Sequence, residues 1–500
     1  MDLPPAAWGG IVVVAVLFVI GNVIRDAIAP KYGLKSLRQW LWRLKSWDER
    51  TRDDAASAVG LIEKRPGDSP KAVHGLIPLL RDKSYMIRHT AAWSLGMIGP
   101  RSKPAVSAMI QALNDPDSFV RQSVTEALGR MGHAAREAVP HLVTSMKDSD
   151  YRVREAAAKA LGELGSTARP AVPDLLNSFQ RDGLMAAAAA LQELGPVADG
   201  AVDGLLAILQ DRQSGKRGAA AAALGGIGSA SRRAVPALME LCNEPDGELR
   251  KTGLSALGDI GGPTAKAVIV QLIHALDDPG LRQTAVWTLK RLGSAAKEAV
   301  PALVRLVRDP DKFFRHDVVD ALGAIGPDAR QAVPLIVESL GSSDTYAHLV
   351  GAQALGRIGP DARMAGPALW RQMEGSEGEY RVDAAIALVR IGERREEALN
   401  VLFASLHDRN SHCRRRAAIA LGTMNDLGDR AVKALRAALK DSDDEIRLVA
   451  AESLVKLGAA SEAARSVLVE LLDHDNKYMR RDAERALDQF GSAKKPLSAE

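Results

Sequence analysis

The chain has 500 residues and a formal charge of +4, from 66 basic and 62 acidic side chains, a balance that does not indicate a nucleic-acid groove. Its two cysteines, Cys242 and Cys413, match no metal or redox spacing and read as unpaired helical thiols. Only 4% of residues are aromatic, while alanine runs recur at 186–190 and 219–223; this favours closely stacked helices over strands.

In chain order, the first predicted element is a membrane-spanning helix. Residues 3–24 carry no charged side chain, and 11–20 are almost continuously Val, Ile, Leu and Phe. A helix rising 1.5 Å per residue crosses a hydrocarbon core of about 30 Å in roughly 20 residues. A cleaved signal peptide wants Lys or Arg ahead of the apolar run, and Asp2 is the only charge there. Residues 25–52 hold eight basic side chains against Asp26, Asp48 and Glu49. The positive-inside rule then predicts an uncleaved single-pass anchor in the cell membrane, with its flank over residues 1–30, the bulk of the chain cytoplasmic and the N-terminus outside. The next helix sets Leu34, Leu37, Leu41 and Leu44 on one stripe beside Trp40, Trp42 and Trp47. We expect the leucines to pack inward and some of the indoles to face a membrane interface.

From there the dominant signal is repetition. DPDSFVRQSVTEALGRMG (115–132), DSDYRVREAAAKALGELG (148–165), DPDKFFRHDVVDALGAIG (309–326) and DSDDEIRLVAAESLVKLG (441–458) align without gaps. The Leu of the "ALG" step recurs at 95, 128, 161, 191, 224, 257, 289, 322, 355, 388, 421, 454 and 487, at intervals of 33 broken only by one of 30 and one of 32. Val59 is an earlier, degenerate copy. Numbered by these markers, about fourteen two-helix units fill residues 31–490, leaving 491–500 as a flexible tail.

Within a unit the first helix opens near an "AVP" step (Pro140, Pro173, Pro236, Pro301, Pro334). There proline either occupies the first turn or kinks a helix that begins earlier. The second helix starts at an Asp N-cap in eight units, at positions 48, 117, 150, 246, 278, 311, 344 and 443. It ends at a glycine expected to be left-handed, as at Gly132, Gly165, Gly228, Gly261, Gly326 and Gly359. Such a hairpin cannot bury its apolar face alone, so stacking neighbours complete the core. The class is therefore all-α, an α-solenoid superhelix.

Four residues beyond the N-cap position stands a ladder of arginines: Arg52, Arg88, Arg121, Arg154, Arg217, Arg250, Arg282, Arg315, Arg381, Arg414, Arg447 and Arg480, with Leu184 and His348 in the gaps. A polyanion-binding ladder is one reading. The structural one is preferred: Asp and Arg at i, i+4 share a helix face, and the Arg fork also reaches the next unit's turn.

The D-x-D-x-x-V-R-x-x-A-A-x-A-L-G-x-I-G pattern with AVP before it resembles the short HEAT repeats of phycobilisome-lyase-type proteins. Relatives of this kind include deoxyhypusine hydroxylases, which hold iron on His-Glu pairs. None of the ten histidines here precedes Glu; the nearest are His316-Asp317, His407-Asp408 and His474-Asp475. No HExxH, phosphate loop or nucleophile elbow occurs. We therefore expect no enzyme activity, cofactor or metal, but a membrane-anchored scaffold that binds a protein along its concave face. An accessory enzyme of the bilin-lyase or hydroxylase kind is the alternative. The second helices should line that face, exposing positions two and six before each marker and two after it. The candidate contacts are His89, Trp93, Arg130, Gln283, Trp287, Arg291, Arg415, Arg481 and Arg485, Trp and Arg being the types that most often dominate binding energy. Units five and six, nearly bare there, read as the flexible point of the array.

Overall fold

The computed structural model describes residues 37–62, 69–261, 266–342, 344–459, 461–472, 474, 476–493. The expected membrane-spanning helix does not stand as part of this fold. Among the described residues no helix is long and apolar enough to cross a membrane. Segment 3–24, which carried that expectation and the placement at the cell membrane, lies outside them, as do the rest of 1–30 and the tail from 494. The described residues form a solenoid. Of the leucine stripe Leu44 is buried and Leu37 and Leu41 are half-buried, while Trp40 is buried and Trp42 and Trp47 are exposed.

Fourteen second helices occur among the described residues, one per marker, from Glu49–Ile62 in repeat one to Lys477–Ala493 in repeat fourteen. The chain divides into two compact units, 1–157 and 158–500, and within each the repeats pack through the same contacts. Every marker leucine from Leu95 to Leu454 is fully buried. Burying a leucine side chain is worth about 1.5–3 kcal/mol, so these positions dominate the core. Leu487 is half-exposed.

The glycine of the "ALG" step sets the stacking distance. A Cβ on Gly96 would lie 2.8 Å from the Cα of Ala127, and one on Gly356 would lie 3.0 Å from that of Ala387. In each pair the alanine stands just before the next repeat's marker, so two small residues let consecutive second helices touch backbone to side chain.

The helix ends follow the capping chemistry, with two departures. Asp117 accepts from the amides of Phe119 and Val120, and Asp311 from those of Phe313 and Phe314. Asp278 caps no helix: Pro279-Gly280 holds a turn open, Asp278 accepts from the Gly280 amide, and the helix starts only at Arg282. Gly392 is left-handed helical at φ 80°, ψ 24°, whereas Gly228, Gly261, Gly326 and Gly359 have positive φ but not the left-handed helical ψ, Gly326 at φ 83°, ψ −140° and Gly359 at φ 78°, ψ −144°. That region is closed to side chains, and it feeds the backbone into a seven-residue 3₁₀ connector running from the glycine to the alanine of "AVP", as in Gly132–Ala138 and Gly326–Ala332. The proline then occupies the first turn of the first helix, which settles its role there (Pro140 in Val139–Ser145, Pro334 in Val333–Ser339). Cys242 and Cys413 are free and buried, and burial pushes the Cys242 thiol up to about 12.

Candidate partner-binding site

The ladder arginines bridge repeats. Arg121 donates from Nε and Nη2 to the two oxygens of Asp148 at 2.7 and 2.8 Å, while its Nη1 donates to the Asp115 and Pro116 carbonyls. Arg88 grips Asp115 in the same two-pronged way at 2.6 and 2.8 Å, and Arg414 grips Asp441 at 2.8 and 3.0 Å. Arg52 takes Asp82, Arg217 takes Glu244 and Arg282 takes Asp309. The carboxylate used is not the N-cap four residues earlier but the acid two residues before the next N-cap. That acid also accepts from the N-cap amide, as Asp148 does from Asp150. The hydrogen bond from Arg121 holds the Asp148 carboxyl below its ordinary range, and Asp148 in turn raises the Arg121 guanidinium. Arg154, Arg315 and Arg480 donate to carbonyls of their own turns. Arg250 lies 3.6 Å from Asp278, Arg447 pairs with Asp444 and Glu470, and Arg381 is exposed.

On the outward face of the second helices the candidate residues are placed unevenly. Trp287 is 51% exposed, with Arg291 exposed one turn further on. Arg291 ion-pairs with Asp259 and donates to the Ser255 carbonyl at 2.8 Å, and Gln283 donates to Asp317 at 2.5 Å. Trp93 is half-buried, and His89 beside it lies 2.6 Å from the Ser123 hydroxyl through Nδ1. Arg130 is 3.4 Å from Glu126. Arg481 and Arg485 are exposed on the last helix, the first over the Tyr478 ring and the second 3.2 Å from Asp482. His316, expected to face outward, is buried instead. Its Nε2 lies 2.8 Å from Asp344 of the next repeat, and its ring stands edge-on to Tyr346.

Arg415 leads to a feature the sequence reading passed over. It pairs with Glu445 at 2.7 Å at the rim of a hollow of about 250 Å³ formed by repeats ten, eleven and twelve, lined in part by Gln353, Arg357, Asp383, Arg390 and Arg416. Asp383 is 2% exposed, ion-paired with Arg416, and accepts from Gln353 at 3.3 Å. Arg357 is tied to Asp320 at 2.5 Å. Arg390 has no carboxylate partner among the described residues; burial, and then the like charge of Arg357, holds its guanidinium below the ordinary value. The hollow therefore presents a partly desolvated cation that lacks an anion. Arg357 and Arg390 stand two residues after the markers Leu355 and Leu388, so the offset rule extended to repeats ten and eleven finds them. Asp383 obeys no such offset. Among the described residues no three His, Cys, Asp or Glu side chains converge as a metal site.

Paired helices stacked through a repeating small-residue seam, with an acid–arginine clasp between turns, define an α-solenoid. The HEAT-repeat family matches residues 37–129, 106–195, 202–290, 267–356, 366–454 and 414–488, and the chain belongs to it. The match is to HEAT repeats themselves and not to the phycobilisome-lyase subtype. Among solved structures, yeast importin-beta (Kap95p) is similar in fold, with a TM-score of 0.53, 15% identity, and coverage of 91% of this chain and 77% of that one. Another importin beta matches with a TM-score of 0.50 and 14% identity over 91% and 72% of the two chains. Kap95p studied with RanGDP matches at 0.52, again with 14% identity over 91% and 72%. A comparison with curated proteins finds no match.

Proposed function

We propose that this chain is a protein-binding scaffold whose second-helix face in repeats eight to twelve holds a partner. The observation that carries the reading is an exposed Trp287 in repeat eight together with Arg390, which lines the hollow of repeats ten to twelve with no carboxylate partner among the described residues. An indole half in water supplies apolar area with little conformational freedom to lose, and a desolvated guanidinium recognises an acidic side chain strongly. A partner carrying an apolar residue and, about three repeats further along, a carboxylate satisfies both. The HEAT fold supports a protein as the partner class, since the similar Kap95p binds a protein, RanGDP.

The test is affinity capture by the full chain in three forms: wild type, Trp287→Ala with Arg390→Glu, and Lys297→Ala on a connector away from this face. Proteins captured by the wild type and by Lys297→Ala but lost by the double variant support the proposal. Equal capture by all three overturns it.

A further inference from the structure

At Arg315 the clasp between repeats lacks its acid. Ladder arginines 88, 121, 217, 282 and 414 each meet an acid 27 residues later, at Asp115, Asp148, Glu244, Asp309 and Asp441. Arg315 meets Ser342 at that offset. Ser342 keeps half of the acid's work, for its hydroxyl accepts from the Asp344 amide at 3.3 Å as the aspartates do in their turns. It has no carboxylate for the arginine. Arg315 donates from Nη1 to the carbonyls of Asp309 and Pro310 at 2.7 and 3.2 Å, and nothing among the described residues accepts from its Nε or Nη2.

Open space stands where the carboxylate is missing. Arg315 lines a cavity of about 820 Å³ with Arg308, Lys312, His316, Ser339 and Ser342. Arg308 is neutralised by Glu338 at 2.7 Å, and His316 is held by Asp344. Lys312 lies over the Phe313 ring, with no carboxylate against it among the described residues. Arg315 and Lys312 thus stand at the cavity wall with no carboxylate against either among the described residues, while the Asp344 carboxylate of the same wall is taken up by His316. The buried Nδ1 of His316 also lacks a hydrogen-bond partner there. The ladder itself shows what the free fork takes: two oxygens of one anion, in the parallel geometry that guanidinium shares with carboxylate and phosphate. Two unmatched cations favour a doubly charged group over a single carboxylate.

We propose that the cavity between repeats nine and ten, built on Arg315 and Lys312, is a binding site for a phosphate group, which occupies the carboxylate position that Ser342 leaves open. The phosphate comes either free or on a phosphorylated protein segment. The site lies at the turn edge of the repeats and does not depend on the second-helix face proposed above.

The experiment uses the full chain, with inorganic phosphate and a phosphoserine peptide as separate probes at matched ionic strength, read by calorimetry and by the unfolding midpoint. The wild type should bind and be stabilised saturably. Ser342→Asp should melt higher than the wild type without phosphate, because it completes the clasp, and should bind at least tenfold more weakly. Arg315→Ala should also lose binding, and the aspartate variant guards against mistaking misfolding for that loss. Peptide binding tenfold tighter than inorganic phosphate assigns the source to a phosphorylated partner; equal binding assigns it to free phosphate. The proposal fails if the wild type responds to neither probe, or if the response survives Ser342→Asp unchanged.

Discussion

Gly323 of repeat nine lies so close to Ala354 of repeat ten that a Cβ added to it would stand 2.6 Å from the Ala354 Cα. Both residues sit in backbone that neighbouring turns hold on either side, so neither moves cheaply. Gly323→Ala is therefore an overpacking change and should cost about 1–3 kcal/mol. Gly200→Ala, in a connector where an added Cβ meets nothing within 4 Å, is the control and should leave stability nearly unchanged. Urea unfolding of both variants checks the contrast; equal effects would show that the seam is not tightly packed.

The two classes of ladder arginine should differ in energy. Arg121 ties its own turn to the next repeat through Asp148, whereas Arg154 donates to carbonyls of its own turn at 2.8 and 3.0 Å. Hydrogen bonds to charged groups contribute about 1.5–3 kcal/mol when satisfied and shielded. Arg121→Ala should lose stability in that range and Arg154→Ala less. A double-mutant cycle of Arg121→Ala with Asp148→Asn should show strong coupling. Additive losses would mean that the clasp holds little.

The clasps also give a direction to the pH dependence. Asp148 is held below the usual carboxylate range by the Arg121 hydrogen bond. In Asp82 and Asp441 burial pushes the carboxyl up, but Arg52 and Arg414 bring it below the ordinary value. A carboxyl depressed in the folded state contributes stability above its unfolded pKa of about 3.9, and that contribution disappears as pH falls through the folded value. The unfolding midpoint should drop as pH is lowered from about 4, and Asp148→Asn should drop less steeply. Parallel acid limbs for the two proteins would contradict the assignment.

Repeats five and six should open before the repeats on either side, whose second helices are capped by Asp150 and Asp246. Their second helices, Met185–Leu194 and Arg217–Ile227, start at Leu184 and Lys216 with no side-chain cap, unlike Ser118–Arg130 or Lys312–Ile325. Gly225 and Gly226 are not loosening elements, since a Cβ on either would come within 3 Å of a neighbour; the weakness lies at the helix starts. Hydrogen exchange across roughly residues 175–228 should outpace that of the flanking repeats, because an uncapped start frays before its neighbours. Even protection along the array would rule this out.

Much of this architecture was legible because the "ALG" leucines must be buried at every turn of a stack, and twelve of them in a row are. The clasp was half legible. Two acids flank each turn, and sequence distance favours the N-cap acid four residues before the arginine, such as Asp117 before Arg121. The fork instead takes Asp148, because the guanidinium extends across the stack and not back along its own helix. The 3₁₀ connectors were not readable, since residues such as Gly326–Ala332 carry no composition that separates a 3₁₀ turn from a loop. Asp383 was missed because its importance comes from Arg416 of the next repeat, which no offset within one repeat reveals.

The connectors also bear on how such a chain changes length over generations. GPDAR opens the connector at Gly326 and again at Gly359, and the two glycines share nearly the same backbone dihedrals. Excising the 33 residues 326–358 joins Ile325 to Gly359 and rebuilds the same junction, sequence and geometry alike. Gly323 would then face Ala387 as Gly356 does now. Recombination between near-identical seams thus removes or inserts a whole repeat without a misfit at the joint, so the number of repeats is itself heritable and adjustable. The same cut would delete Ser342, leaving a shorter protein in which Arg315 meets Glu374, Gly375 and Ser376.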